Sequence, residues 1–262
     1  MLPGFFEFGT RIEGIDATDL FSLNSVLGTS IEVQVVSTLN KMRGIWDPDE
    51  HWVGYRFERQ SQVFPDVLLI QRGLEKPNIA MGIELKGWYL LSKEGVPTFR
   101  FPTTAEACSI YDLIAVVPWH LSSVTSGSPV AREPWVESAR YAAEYRNYWW
   151  QHMRDTSDPR GIRTPVGAQP YPTKDMHVTD LPDYDPGRNF GRLARIAGLM
   201  ADWVEAAKAQ EALGIPINDW VAFLKRHGDT SDPEAVVVWL QRELRKATRA
   251  GSEEKAARVL EH

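Results

Sequence analysis

The stretch Phe64-Pro65-Asp66-Val67-Leu68-Leu69-Ile70, set against Gly82-Ile83-Glu84-Leu85-Lys86-Gly87, decides how the chain folds. Both runs are rich in branched apolar residues. Gln71-Arg72-Gly73 ends the first and Lys76-Pro77-Asn78 precedes the second, so each reads as a strand bounded by turns. Side chains alternate along a strand, which puts Glu84 and Lys86 on one face and Ile83, Leu85 and Gly87 on the other. An acid and an amine inside an apolar strand are expensive to bury unless they pair or hold a metal. If the Asp66 strand pairs beside them, two carboxylates and one ammonium form a three-residue cluster; the alternative is a solvated strand face for Glu84 and Lys86 with Asp66 in a turn.

Upstream, Ile31, Val35, Leu39 and Met42 keep helical spacing, predicting a helix over 31–43 with Thr29 or Ser30 as its N-cap and Gly44 closing it. Strands are expected at 55–57, 63–70 and 79–88, with a short one at 99–101. Thr103 or Thr104 then caps a short helix through Ser109. Residues 111–119 form an unbroken apolar run, the mark of a strand covered on both faces. A helix is expected over 134–153. From 155 to 187 prolines interrupt the chain and no apolar period survives, so a long loop is expected. Helices follow at 190–213, 217–227 and 233–249, with Pro233 at a first helical position. The fold class is α/β: a central mixed β-sheet flanked by helices, spanning 1–186 and including the 155–187 loop. A helical C-terminal subdomain occupies 187–262.

Composition narrows the field. The 262 residues carry 29 Lys and Arg against 35 Asp and Glu, a net charge of −6, which disfavours a protein that coats nucleic acid indiscriminately. Charge can still be segregated, with arginines gathered around a cleft. The single cysteine, Cys108, excludes an internal disulfide and a cysteine zinc cluster. No segment reads as a membrane span or a signal peptide, so the expected location is the cytoplasm. There is no phosphate-cradling Gly-rich loop and no Gly-x-Ser-x-Gly element, and the histidines lack metal-binding spacing. The Asp66, Glu84 and Lys86 cluster suits phosphodiester hydrolysis. Carboxylates are hard ligands for Mg2+, and a lysine can orient water or offset developing charge.

Pro65-Asp66 followed by Glu84-Leu85-Lys86 resembles the signature of the PD-(D/E)xK nuclease superfamily, to which many type II restriction endonucleases belong. The resemblance covers residues 29–119. It implies a restriction-endonuclease-like core with the signature on a central hairpin, a Mg2+ site at Asp66 and Glu84, and Lys86 as the catalytic lysine. It also implies a further acid on the preceding helix, a role that Glu32 matches; the alternative for Glu32 is a first-turn charge complementing the helix dipole. Exonuclease-type members carry Gln-x-x-x-Tyr after the lysine, and 103–109 lacks it. A site-specific endonuclease cutting duplex DNA as a homodimer is therefore expected. The alternatives are a structure-specific, single-strand or RNA nuclease of repair or phage defence, and a catalytically silent nucleic-acid-binding protein.

For substrate contacts, Gln62 sits with Gln60 on a polar strand face that either touches substrate or is simply solvated. The aromatic-rich stretch Tyr141 to Trp150 either stacks on bases or packs in the core, and Arg146 within it and Arg154 just after it are candidate phosphate contacts. Arg160, Arg163, Lys174 and His177 in the long loop are candidates for base or phosphate contact, or for a dimer arm.

Overall fold

The computed structural model describes residues 1–15, 19–60, 63–73, 75–154, 161–173, 175–227 and 232–249. Helices α1 (Leu2–Phe5), α2 (Leu23–Lys41) and α3 (Arg43–Trp46) lead into strands β1 (Arg56–Arg59), β2 (Val67–Gln71) and β3 (Asn78–Tyr89). Next come β4 (Leu113–Leu121), β5 (Pro129–Ala131), β6 (Trp135–Ser138) and helix α4 (Ala139–Tyr148). The two-residue strands β7 (Ile162–Arg163) and β8 (Leu181–Pro182) pair with each other. Helix α5 (Ala201–Ala209), the ladder β9 (Glu211–Ala212) with β10 (Ile215–Pro216), α6 (Ile217–Arg226) and α7 (Pro233–Arg249) complete the order.

The main sheet runs β1-β2-β3-β4-β5, with β6 also paired to β4. Its first three strands are antiparallel, β3 and β4 are parallel, and β5 and β6 return antiparallel along the far side of β4. This is a mixed sheet in an α/β protein. β4 is flanked on both sides, and Ile114, Val116, Val117, Trp119 and Leu121 are at most 1% exposed, as its unbroken apolar sequence predicts.

Helix α2 begins at Leu23, so neither Thr29 nor Ser30 caps it, and it runs straight through Gly28. The reason is packing. A side chain on Gly87 of β3 would lie 4.0 Å from the Gly28 Cα and 3.8 Å from Ile31 Cγ2. A side chain on Gly28 itself would meet nothing within 4 Å, and Gly87 lies at ordinary contact distance, so Gly28 is a mid-helix position and not an entry. Ile31 and Val35 are buried to 0% and 1% exposure in this layer, and each contributes roughly 1.5–3 kcal/mol.

Other boundaries moved for identifiable reasons. The expected helix over 134–153 starts as strand β6, because Trp135 to Ser138 pairs with Val116 to Leu113. The Ser138 hydroxyl then caps α4 by accepting from the Tyr141 amide at 3.2 Å. Residues 99–101 form no strand, and the helix expected through Ser109 is only a single 3-10 turn at Ala105–Ala107. The helix expected over 190–213 is broken by Gly191 and Gly198, both at φ +79°. Gly191 lies against the Phe101 backbone, 3.0 Å from where its Cβ would be, and its carbonyl accepts from the Phe101 amide. Only a 3-10 turn at Leu193–Arg195 and α5 survive.

Leu193, Ile196, Met200, Val204, Ile217 and Leu224 belong to the same buried cluster as the sheet. Trp203 of α5 packs on Trp88 of β3 with ring centroids 5.4 Å apart. No helix among the described residues is long and apolar enough to cross a membrane.

The described parts of the proline-rich 155–187 loop are tied to the core. The Asp180 amide donates to Pro102 O at 2.8 Å, and the Thr104 amide donates to Val178 O at 2.9 Å. Between them, Arg146 of α4 is 1% exposed. Its guanidinium donates to Asp180 Oδ2 at 2.7 Å and to the carbonyls of Phe101 and Thr103 at 2.7 and 2.8 Å. Arg146 is therefore corrected from a candidate phosphate contact to a buried anchor, its donors spent on the loop. Removing one member of a buried ion pair strands the other charge. Asp180→Ala should lower stability by about 3–5 kcal/mol in denaturant unfolding; a loss below about 1 kcal/mol would contradict the anchoring role.

Candidate active site

The site forms where β2 and β3 run side by side. Pro65 is seated by Gly82: a Cβ on Gly82 would overlap the Pro65 ring and come 3.1 Å from Asp112 Oδ1. Gln60 closes the turn before β2, its side-chain amide donating to Pro65 O at 2.9 Å and its backbone amide to Asp66 O at 2.7 Å. On the outer strand Glu58 pairs with Arg56 and, just past the end of β2, with Arg72, each at 2.6 Å, as a charged surface would.

Held this way, Asp66 points its carboxylate across to β3. Asp66 Oδ2 accepts from the Leu85 amide at 3.0 Å and from Lys86 Nζ at 2.8 Å. Lys86 Nζ also lies 2.8 Å from Glu84 Oε1. The three side chains converge, with the ammonium bridging the two carboxylates. All are largely shielded: their side chains are 30%, 12% and 21% exposed for Asp66, Glu84 and Lys86.

Burial raises the Glu84 carboxyl to about 7; the Lys86 charge opposes the rise and the Asp66 charge adds to it. For Lys86, burial alone would lower the ammonium, but Glu84 and Asp66 more than offset this and hold it above its usual range. The cluster is thus a carboxylate pair short of positive charge, because one ammonium stands between the buried Glu84 and the partly exposed Asp66.

Glu32 stands beside this cluster without a direct bond to it. It lies in the interior of α2, ten residues after Ser22, so the helix-dipole explanation for its charge does not apply. Its carboxylate pairs with Arg59 Nη2 at 3.4 Å. Burial and the Asp66 charge raise its pKa, and the Lys86 and Arg59 charges oppose that. Glu32 therefore senses Asp66 and Lys86 through space. Among the described residues, no group of three or more His, Cys, Asp and Glu side chains is gathered as a ready metal cage. The donor set is two carboxylates with a third acid at a remove.

Of the other candidates, Gln62, Arg160 and Lys174 lie outside the described residues. Arg154 stacks on Trp150, its guanidinium carbon 3.6 Å from the ring centroid. Arg163 is exposed and pairs with Asp183 at 2.6 Å. Arg163 and His177 line one cavity of about 420 Å3 with Thr164, Thr179 and Asp183. The aromatic stretch divides: Trp150 is buried, whereas Tyr141 and Tyr148 are exposed.

Two residues near the site went unread in the sequence. Asp112 is fully buried at the head of β4, where Oδ1 accepts from the Gly82 amide at 2.7 Å and Oδ2 from the Ser109 amide at 2.7 Å. Tyr171 of the long loop donates its hydroxyl to the same Asp112 Oδ1 at 3.0 Å. The available signal was an acid opening an otherwise apolar strand. Comparison with protein-family models, curated proteins and solved structures gives no match to this chain.

The raised Glu84 carboxyl makes stability depend on pH. Unfolded, the group loses its proton near 4.5; folded, it holds it to about 7. Between those values the native state binds the extra proton, so stability falls as pH rises through this window and levels off above it. Glu84→Gln should remove a slope worth on the order of 1–3 kcal/mol. Urea unfolding of both proteins from pH 4.5 to 8 checks this, and parallel curves would refute it.

Proposed function

We propose that this protein is a magnesium-dependent nuclease of the PD-(D/E)xK kind, with a restriction-endonuclease-like core. The observation that carries the reading is the Lys86 ammonium lying 2.8 Å from both the Asp66 and Glu84 carboxylates at the junction of β2 and β3. The mixed sheet, with Asp66 just before β2, Glu84 on the antiparallel β3 and the parallel β4 beside it, supports this reading.

Asp66 and Glu84 would hold the magnesium ion. Two carboxylates with room for water and phosphate suit Mg2+, which seldom takes a full protein cage. The raised Glu84 carboxyl supports this fit, because a divalent cation supplies the positive charge that the pair lacks. When bound, the ion supplies Lewis-acid polarisation of the scissile phosphate and makes water a competent nucleophile near neutral pH.

The chain's own groups do the rest. Lys86, freed from neutralising the acids, orients the attacking water and offsets charge developing on the phosphate. The Leu85 amide holds Asp66 in place at 3.0 Å. Glu32 adds negative potential that favours cation entry. Arg154 and Arg163, on the side of the long loop, are the described candidates for backbone phosphate contact.

Duplex DNA is the proposed substrate, cut site-specifically by a homodimer, since severing both strands takes two such sites. Incubating the protein with phage DNA and Mg2+ and sequencing the fragment ends tests this directly. Discrete ends support the reading, and random cleavage of single strands or RNA would move the substrate to a structure-specific class. No cleavage of any of these would sink the nuclease reading. Asp66→Ala should reduce the rate at least about a thousandfold, the equivalent of several kcal/mol. Lys86→Ala should leave measurable residual cutting in the same gel assay while Mg2+ binding by calorimetry persists.

A further inference from the structure

The two proposed metal ligands share a single support. Asp66 follows Pro65, whose ring lies where a Gly82 side chain would be, and Glu84 stands two residues beyond Gly82 on the same strand face. Gly82 in turn is held by Asp112, a fully buried carboxylate at the head of the neighbouring strand. Asp112 is the point at which the long loop arrives: Tyr171 donates to the same Oδ1 that receives the Gly82 amide.

Tyr171 is an unusual residue for this task. It lies between Pro170 and Pro172, and a residue before proline is ordinarily extended. Here its φ is +54°, in the left-handed region that a bulky side chain rarely enters. Such a conformation persists only where surrounding contacts impose it. On either side of Tyr171 the same loop carries Arg163 and His177, which line one cavity, and Asp180, which is locked to Arg146.

From this chain of contacts, and resting on the nuclease reading, we infer that Tyr171 is a positioning residue. Through Asp112 and Gly82 it couples the described loop segment 161–173 to the alignment of Asp66 and Glu84. Tyr171 holds Asp112 and Asp112 holds Gly82, so that the carboxylate pair stays in register for hydrolysis.

The test compares the full chain with Tyr171→Phe, which keeps the ring and removes only the hydroxyl. DNA cleavage with Mg2+ is measured alongside hydrogen–deuterium exchange of the protein alone. The expected result is a fall in kcat of about ten- to a hundredfold with KM within about twofold, the signature of misaligned groups rather than lost binding. Exchange should rise in the peptide covering 78–89 as well as in 161–173, while α6 is unchanged.

A raised KM at constant kcat would make Tyr171 a simple binding contact and overturn the inference. So would faster exchange confined to the loop. Should the unmodified chain cleave nothing, the nuclease reading fails by itself. Exchange then still decides the coupling: a response in 78–89 upholds it, and silence there refutes it.

Discussion

One lysine ammonium stands between two carboxylates, one buried and one partly exposed, and the strands around it hold the three together. Asp66 and Glu84 repel each other at close range, so the pair is tolerable only while positive charge sits between them. Lys86 supplies it from the same strand as Glu84, two residues on, where alternation brings both side chains to one face. The neighbouring strand must then deliver Asp66 within a few ångströms. That places a proline before it and a side-chain-free residue opposite, since any Cβ at Gly82 would displace the Pro65 ring. Sheet order, strand spacing and one glycine are all tied to a local charge imbalance.

Much of this was legible in the chain. The two apolar strands and their acids follow from period-two alternation, and the buried β4 from its unbroken run of Ile114 to Trp119. What resisted reading was set by tertiary contact. Gly28 looks like a helix entry because glycine commonly flanks helices. It is instead mid-helix, in a helix that begins at Leu23 and packs on Gly87, some sixty positions away in the sequence, at ordinary contact distance. Trp135 to Ser138 carries aromatic and polar residues that suit either state, and pairing with β4 makes it a strand. Gly191 and Gly198 sit in a stretch with helical periodicity, yet both take positive φ and interrupt it.

The site was legible in part. Spacing gave Glu84 and Lys86 a common face, but nothing local could reveal that Asp112 and Tyr171 meet behind them, because the partners come from three separated segments. Arg146 shows the opposite failure. A sequence rich in arginine and aromatics resembles a nucleic-acid surface, whereas its most central arginine faces inward and ties a loop to three backbone and side-chain acceptors. Charge counts along a sequence carry no information about which way a side chain points. Burial decides, and burial is a property of the whole fold.

That inward guanidinium also separates two kinds of acidity response. Burial lowers the Arg146 pKa only to about 10, so it stays charged across the whole interval in which Glu84 gains or loses its proton. The guanidinium side of the loop fastening thus keeps its charge in mild acid, while the Glu84 carboxyl takes up a proton there. A change in stability across that interval therefore does not come from loss of the Arg146 charge.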